Sequence, residues 1–140
     1  MRRCLVIANR TLASPPLLAE LRTRQAGGEE SVFHILVPAT HAHGSTVWTE
    51  GQALTQARAA LERALEDLRS EGIDASGEVG DENPVLAVED VLNRQAFDEI
   101  VVSTLPAGIS KWLKRDLPRR LARRFGLPVT HVVAVADRVG

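Results

Sequence analysis

Short apolar runs alternate along the chain with longer segments in which apolar residues recur every three or four positions. Five of the short runs have the length and the Val and Ile content of strands, and four of the longer segments have the period of a helix. Strict alternation of this kind is typical of a parallel sheet with helices on both faces, so we expect an α/β fold. The predicted strands are 4–8, 31–37, 74–79, 99–103 and 129–135.

Capping residues predict where the helices begin and end. Polar side chains that accept hydrogen bonds from backbone N–H groups precede all four helical segments, and proline follows two of them directly. Glycine follows two of the segments at the position that favours a left-handed backbone. The predicted N-caps are Ser14, Thr49 with Gln52 three residues on, Asn83 and Asp116, and the predicted terminal glycines are Gly72 and Gly126.

Composition places the chain among compact globular proteins. Its 140 residues are 44% apolar and 25% charged, which fits a single domain with one continuous core. The one cysteine, Cys4, lies in an apolar run and is expected to be a buried residue in a reducing compartment. The apolar run after Arg2 and Arg3 is too short for a signal peptide or a membrane span, so we expect a cytoplasmic protein without a membrane partner.

The net charge of −1 conceals an uneven distribution. Residues 1–110 contain nine Arg and sixteen Asp or Glu, whereas residues 111–124 contain seven Lys or Arg and one Asp. The predicted helix after Asp116 places four arginines on one side, and a solvated face of an amphipathic helix is the favoured interpretation. Nucleic acid or an acidic partner is the alternative, and of these nucleic acid is not expected. The four residues are Arg119, Arg120, Arg123 and Arg124.

Several stretches resemble the universal stress protein family. They are residues 5–9, the helix that begins at Asn83 and the stretch 100–133, and the likeness extends over nearly the whole chain. Residues 80–88, Gly-Asp-Glu-Asn-Pro-Val-Leu-Ala-Val, follow the family's turn from strand to helix. The resemblance implies that residues 1–140 form one domain with an open parallel sheet in the strand order 3-2-1-4-5. It also implies that a ligand would lie where strands one and four end, at the topological switch point.

The resemblance also implies that standard ATP binding is lost. ATP-binding members of the family carry Gly-x₂-Gly-x₉-Gly-Ser/Thr after the fourth strand, and here the first two glycine positions are Ser103 and Pro106. The last glycine position falls at Arg115 or Asp116. Proline removes a donor N–H, and a capping aspartate would occupy the helix N–H groups and repel phosphate. We therefore expect no tight MgATP binding and no cofactor.

The crevice between strands one and four is the candidate ligand site. The family's aspartate and glycine at the end of strand one correspond here to Asn9 and Arg10. Arg10 and Lys111 would supply positive charge, and charge-assisted hydrogen bonds are about twice as strong as neutral ones. The favoured interpretation is that Trp112 and Leu113 anchor this loop to the core while its cations are solvated. If the crevice has a ligand, we expect a small anion or a phosphorylated metabolite. The predicted site residues are Asn9, Arg10, Thr11, Ser103, Thr104, Gly108, Ser110 and Lys111.

The histidines do not point to catalysis or to a metal. His41 and His43 lie in a polar connection without an acidic residue or cysteine nearby, so solvated side chains are favoured over a metal site. His34 and His131 lie in predicted strands, where satisfied packing roles are favoured. No phosphate loop, dinucleotide fingerprint, nucleophile elbow, paired cysteines or zinc-protease motif occurs in the sequence.

The favoured function is that of a non-catalytic, stress-associated or regulatory binding protein. The first alternative is a binder of a nucleotide or of a small phosphorylated metabolite. An enzyme of the related adenine-nucleotide hydrolase type is least favoured, because the chain offers no candidate nucleophile or base. The last strand, from Pro128 to Val135, is apolar and would lie at a sheet edge. The resemblance implies a homodimer that pairs through this strand.

Overall fold

Five strands and four helices alternate along the chain, as the sequence predicts. The computed structural model describes residues 1–9, 11–12, 14–27, 30–39, 50–105, 112 and 116–134, with residues 50–53 described by backbone alone. The strands are β1 (Arg2–Ile7), β2 (Ser31–Pro38), β3 (Ala75–Gly80), β4 (Glu99–Thr104) and β5 (Val129–Val133). The helices are α1 (Pro15–Gln25), α2 (Glu50–Ser70), α3 (Pro84–Arg94) and α4 (Leu117–Phe125).

The strands form one parallel sheet in the order β3-β2-β1-β4-β5, which confirms the predicted α/β fold and strand order. The polar strand β3 lies at an edge, as its composition predicts. Every residue of β4 is buried, which agrees with its continuous apolar sequence and its place inside the sheet. None of the helices in the described ranges is both long and apolar enough to cross a membrane.

Side chains that alternate along the strands pack into a separate core on each face of the sheet. On β1, Cys4 and Val6 face the core covered by α1 and α2, whereas Leu5 and Ile7 face the core covered by α3 and α4. All four side chains are fully buried. Burial raises the pKa of the Cys4 thiol to about 12, so this cysteine is an inert core residue, as expected.

Helix α2 packs closely on β3 because the strand carries glycine at the contact. A Cβ atom built on Gly77 would lie 2.7 Å from Leu61 Cδ1 and 2.8 Å from the Ile35 carbonyl oxygen. Leu61, Leu65 and Leu68 of α2 are buried in this core, which confirms the apolar face predicted for the longest helix. Any larger residue at position 77 would force the helix away from the sheet.

Two of the predicted N-caps precede a helix that begins with proline, and their side chains behave differently. Asn83 precedes a helix with proline at N1, so its side chain accepts hydrogen bonds from the N–H groups of Val85 and Leu86 at 3.0 and 3.5 Å. Ser14 precedes a helix whose second residue, Pro16, has no N–H to donate. Among the described residues the buried Ser14 hydroxyl has no hydrogen-bond partner, so the predicted side-chain cap at Ser14 is wrong.

The glycines predicted to follow α2 and α4 have the expected backbone, whereas the predicted start of α2 lies outside the described residues. Gly72 and Gly126 have φ angles of 79° and 68°, the left-handed backbone that favours glycine after a helix. Thr49 lies outside the described residues, so its capping box with Gln52 stays a prediction.

Ion pairs tie together the amino end of the sheet, where the strands begin. Glu99 opens β4, is 4% exposed, and accepts hydrogen bonds from Arg2 Nε at 2.5 Å and Arg24 Nη2 at 2.8 Å. Arg24 also donates to Glu20 and to Thr130 of β5. Burial raises the pKa of the Glu99 carboxyl, but the two guanidinium groups outweigh it and hold the pKa below its ordinary value. The network joins β1, α1, β4 and β5.

Candidate functional site

The switch point of the sheet lies between β1 and β4. These two strands are parallel neighbours, with Ile7 opposite Val102, and their outer neighbours are β2 and β5. Because the helices that follow β1 and β4 cover opposite faces, the chain leaves the carboxyl ends of these strands in opposite directions, which is the arrangement at which ligands bind in open α/β sheets. The predicted site residues follow these two strand ends.

A pair of hydroxyl groups joins the segment after β1 to the end of β4. Thr11 Oγ1 lies 2.7 Å from Ser103 Oγ and 3.3 Å from the Ser103 carbonyl oxygen. Thr11 is 4% exposed and Ser103 is 1% exposed. The structure therefore brings these two predicted site residues together, but as a buried pair that links the segment after β1 to the end of β4.

Thr104 lies beside the pair and bonds to a histidine of β5. Its Oγ1 is 2.8 Å from Nε2 of His131, and Thr104 is 1% exposed. Burial lowers the pKa of His131, which favours the neutral imidazole. The sequence predicts a packing role for His131, but the structure leaves this residue exposed, with its ring bonded to Thr104. His131 lies close to Thr104 because the register of β4 and β5 places His131 opposite Val102. No local sequence motif predicts that register.

The side chain of Asn9 turns toward β2. Its Nδ2 donates a hydrogen bond of 2.8 Å to the carbonyl oxygen of Pro38, the last residue of that strand. The Asn9 amide thus links the carboxyl ends of β1 and β2, on the opposite side of β1 from Ser103. The sequence did not identify the Pro38 carbonyl as a partner.

Half of the predicted site lies outside the described residues. The four residues concerned are Arg10, Gly108, Ser110 and Lys111, so their place at the crevice stays a prediction. His41, His43 and Pro106 also lie outside the described residues. Trp112 is half-buried and packs against the core beneath α3 and α4, as the anchoring interpretation predicts for that side chain.

Asp116 precedes α4 without capping it, so the predicted side-chain cap is wrong. Its φ of 55° is left-handed, whereas a capping residue adopts the extended region, and its carboxylate accepts no hydrogen bond from the helix. The second helical residue, Pro118, has no N–H to donate. Asp116 Oδ2 instead lies 3.9 Å from Arg123 Nη2. Asp116 therefore does not occupy the helix N–H groups as predicted, although its negative charge remains beside the first turn.

A second polar cluster lies at the β3 edge, away from the switch point. Both ring nitrogens of His34 have partners, with Nδ1 2.9 Å from Ser76 Oγ and Nε2 3.0 Å from Glu78 Oε2. A catalytic serine faces Nε2 in the Ser-His-Asp arrangement, which is the reverse of this order. Burial raises the pKa of Glu78, but hydrogen bonds from Arg94 and His34 outweigh it and lower the pKa overall. The predicted packing role of His34 is confirmed.

An open cleft of about 580 Å³ adjoins this second cluster, between β3 and α3. Glu78 and Arg94, which face each other across it, already form an ion pair. Three of the four charged residues of the cleft are acidic, which does not suit an anionic ligand, so the switch point remains the candidate site. In the described ranges, no three His, Cys, Asp or Glu side chains come close enough together to hold a metal ion. The cleft residues are Glu78, Val79, Gly80, Asp81, Ala87, Asp90, Asn93 and Arg94.

Comparison with known proteins supports the fold of the chain but does not identify its function. No protein-family model matches the chain. No curated protein matches it either. Among solved structures, a universal stress protein from Archaeoglobus fulgidus has a TM-score of 0.61 at 16% identity, covering 94% of this chain and 93% of that one.

Two further solved structures give the same result. A universal stress protein family member from Burkholderia pseudomallei has a TM-score of 0.60 at 17% identity, covering 92% of this chain and 93% of that one. A universal stress protein family protein from Arabidopsis thaliana, solved with AMP bound, has a TM-score of 0.62 at 12% identity, covering 98% and 94%. The chain therefore has the universal stress protein fold, which confirms the resemblance found in the sequence at the level of fold.

Proposed function

We propose that the protein is a non-catalytic, cytoplasmic, stress-associated binding protein whose 140 residues form one domain and whose ligand site is the crevice between β1 and β4. The observation that carries the proposal is the Thr11–Ser103 hydrogen bond of 2.7 Å. It fixes the two chain segments that leave the switch point, and a ligand at such a point is held by the segments that follow the strands. The universal stress protein fold supports the same location.

The same pair argues against the standard mode of ATP binding. Where ATP-binding relatives have the first glycine of the phosphate motif, this chain has Ser103, whose side chain is buried and bonded to Thr11. A backbone loop can wrap closely around a phosphate only where no side chain occupies the space between them. Pro106 removes a donor at the second glycine position, and Arg115 or Asp116 stands at the third. The proposal therefore excludes tight MgATP binding.

A small anion or a monophosphate is the ligand class that the remaining residues favour. Arg10 and Lys111 bring positive charge to the segments that leave β1 and β4, and charged donors suit a compact anion. The Arabidopsis thaliana protein of the same fold was solved with AMP bound, so AMP and inorganic phosphate are the first ligands to test. A nucleotide or phosphorylated metabolite in this crevice is the alternative to a purely regulatory partner role.

Calorimetric titration tests the proposed site. Wild-type protein should bind AMP or inorganic phosphate, and Arg10→Ala combined with Lys111→Ala should weaken binding at least tenfold, because both charged donors are lost. Arg58→Ala is the matched control, since Arg58 is an exposed arginine of α2 far along the chain from both strand ends. Binding that is equally strong in the double variant would overturn the site, and so would wild-type protein that binds neither ligand.

We also propose a homodimer that pairs through β5. Among the described residues, β5 pairs only with β4, so its outer edge carries free backbone groups. Val133 on this strand is 43% exposed, an apolar side chain at an open edge. Light scattering at tens of micromolar protein should give the mass of two chains, and introducing proline as Val133→Pro should shift the protein toward a monomer. A monomeric wild-type protein at that concentration would overturn the proposed assembly without touching the ligand site.

A further inference from the structure

The outer face of α4 is a cluster of arginines held on a firmly packed helix. Leu117 and Leu121 are 1% and 0% exposed and fix the inner side of the helix to the core beneath α3. All four arginines lie on the exposed side, in two columns four residues apart, Arg119 with Arg123 and Arg120 with Arg124. We refer to these four residues as the α4 basic face.

The charges on the α4 basic face are poorly neutralised. Helix α4 contains no Asp or Glu, and within the described part of the chain Arg119 and Arg120 have no ion-pair partner. Arg123 is 75% exposed and only 3.9 Å from Asp116, while Arg124 pairs with Glu89. Four like charges on two helical turns repel one another, so an external anion would stabilise this arrangement.

Several arginines elsewhere in the protein link elements of the fold. On α1, Arg22 donates two hydrogen bonds of 2.7 and 2.9 Å to Glu71, and Arg24 bonds to Glu99 and Glu20. The α4 basic face makes few such links, so packing does not account for its composition.

The chemistry of the face indicates a phosphate-rich partner. A guanidinium group binds phosphate through two parallel hydrogen bonds, and the face offers four of them. A protein interface would need an apolar or aromatic centre, but the exposed residues of α4 are all arginines. Binding that depends on charge alone is characteristic of the nucleic acid backbone.

We propose that the α4 basic face binds the phosphate backbone of nucleic acid without regard to base sequence. This departs from the expectation drawn from the sequence, where the face was assigned to solvent. The site is distinct from the β1/β4 crevice and does not depend on the ligand proposed there.

The test measures binding of the full-length protein to a fluorescent DNA duplex of arbitrary sequence by anisotropy between about 50 and 200 mM salt. Each phosphate contact contributes a slope of about −0.9 in a plot of log affinity against log salt, so about two to four contacts weaken binding roughly tenfold to a hundredfold across that range. Arg119→Glu with Arg120→Glu should weaken binding at least tenfold at low salt and make the slope shallower by about two. Arg119→Gln with Arg120→Gln should give a smaller loss in the same direction.

Arg58→Glu with Arg63→Glu on α2 is the matched control, because it makes the same change of charge on another exposed helical face. The proposal expects this control to keep near wild-type binding, and thermal unfolding should show that all variants remain folded. An equal loss in the control would reduce the effect to overall charge and overturn the site. Wild-type protein that does not bind at about 50 mM salt would also overturn it. So would poly-glutamate that competes as well as unlabelled duplex, because that result would assign the face to an acidic protein.

Discussion

The two ends of the sheet hold their polar groups in different ways. At the amino end, the carboxylate of Glu99 is buried and bonded to Arg2 and Arg24, so opposite charges meet inside the protein. At the carboxyl end, the buried contacts join neutral groups, the hydroxyls of Thr11 and Ser103 at 2.7 Å. The cations near this end lie in the segments that follow the strands instead of in the sheet.

This difference separates the groups that stabilise the protein from those available for binding. A buried charge needs its partner, because an unpaired one is costly in the protein interior. The charges at the amino end are therefore committed to the fold. A neutral hydroxyl pair fixes geometry without using a charged side chain. The comparison predicts that substitutions at the amino end act on stability and those in the segments at the carboxyl end act on binding.

The largest loss of stability is expected from Glu99→Gln. The substitution leaves Arg2 and Arg24 without their buried carboxylate, and breaking a buried ion pair costs about 3 kcal/mol. Urea unfolding measures the change. Glu71→Gln is the matched control, because Glu71 forms a similar two-bond contact with Arg22 on the surface, where solvent screens the pair, and its loss should be clearly smaller. Equal losses in the two variants would contradict the distinction between buried and exposed pairs.

The Glu99 carboxylate also makes the free energy of unfolding depend on pH in the acid range. The pKa of Glu99 is lower in the folded protein than its ordinary value of 4.5, so its contribution is complete above that pH and is lost as the pH falls through the folded pKa. Unfolding free energy measured from neutral pH down to acid should decline less steeply in Glu99→Gln than in the wild type. Parallel profiles would show that Glu99 is not the group responsible.

A smaller loss is expected from breaking the hydroxyl pair. Thr11→Val leaves the buried Ser103 hydroxyl without its side-chain partner and should cost about 1–2 kcal/mol in urea unfolding. Thr23→Val is the control, because the Thr23 hydroxyl is exposed and bonds only to the Ala19 carbonyl oxygen of its own helix. Adding Ser103→Ala to Thr11→Val should cost less than the two single losses together. Strict additivity would contradict a direct bond between the two side chains.

The smallest effect concerns His131. Burial lowers its folded pKa below the ordinary value of 6.5, so the unfolded chain takes up a proton first as the pH falls below that value. The free energy of unfolding should therefore decrease as the pH falls from neutral to mildly acidic. His131→Gln should remove the share of that decrease due to His131, and the glutamine can still bond to Thr104. Thermal unfolding across this pH range measures the difference. A wild-type profile that the substitution leaves unchanged would contradict the assigned protonation.

Most of the fold could be predicted from the sequence because it depends on local patterns. Alternating apolar runs and helical periods give the elements, and Asn83 caps α3 because both donors after Pro84 are available. The side-chain caps predicted at Ser14 and Asp116 are not formed, and in both helices a proline at the second position, Pro16 or Pro118, removes one of the two donors that a cap can use. Capping residues and prolines must therefore be considered together.

The candidate site was harder to predict because its contacts join distant parts of the chain. Thr11 and Ser103 are both in the predicted site, yet their bond to each other depends on the β1/β4 register. The contact between Thr104 and His131 depends in the same way on the register of β4 and β5. No local pattern carries that information, so the sequence identified the strand ends without identifying which side chains there are already committed.

Calorimetric titration with MgATP tests most directly the claim that this crevice has lost standard triphosphate binding. With Ser103 buried against Thr11 and Pro106 at the second glycine position, the account predicts no binding at micromolar concentrations, in the same preparation that is titrated with AMP and inorganic phosphate. Micromolar or tighter binding of MgATP would contradict it, because the phosphates would then have found donors that the altered motif is argued to lack.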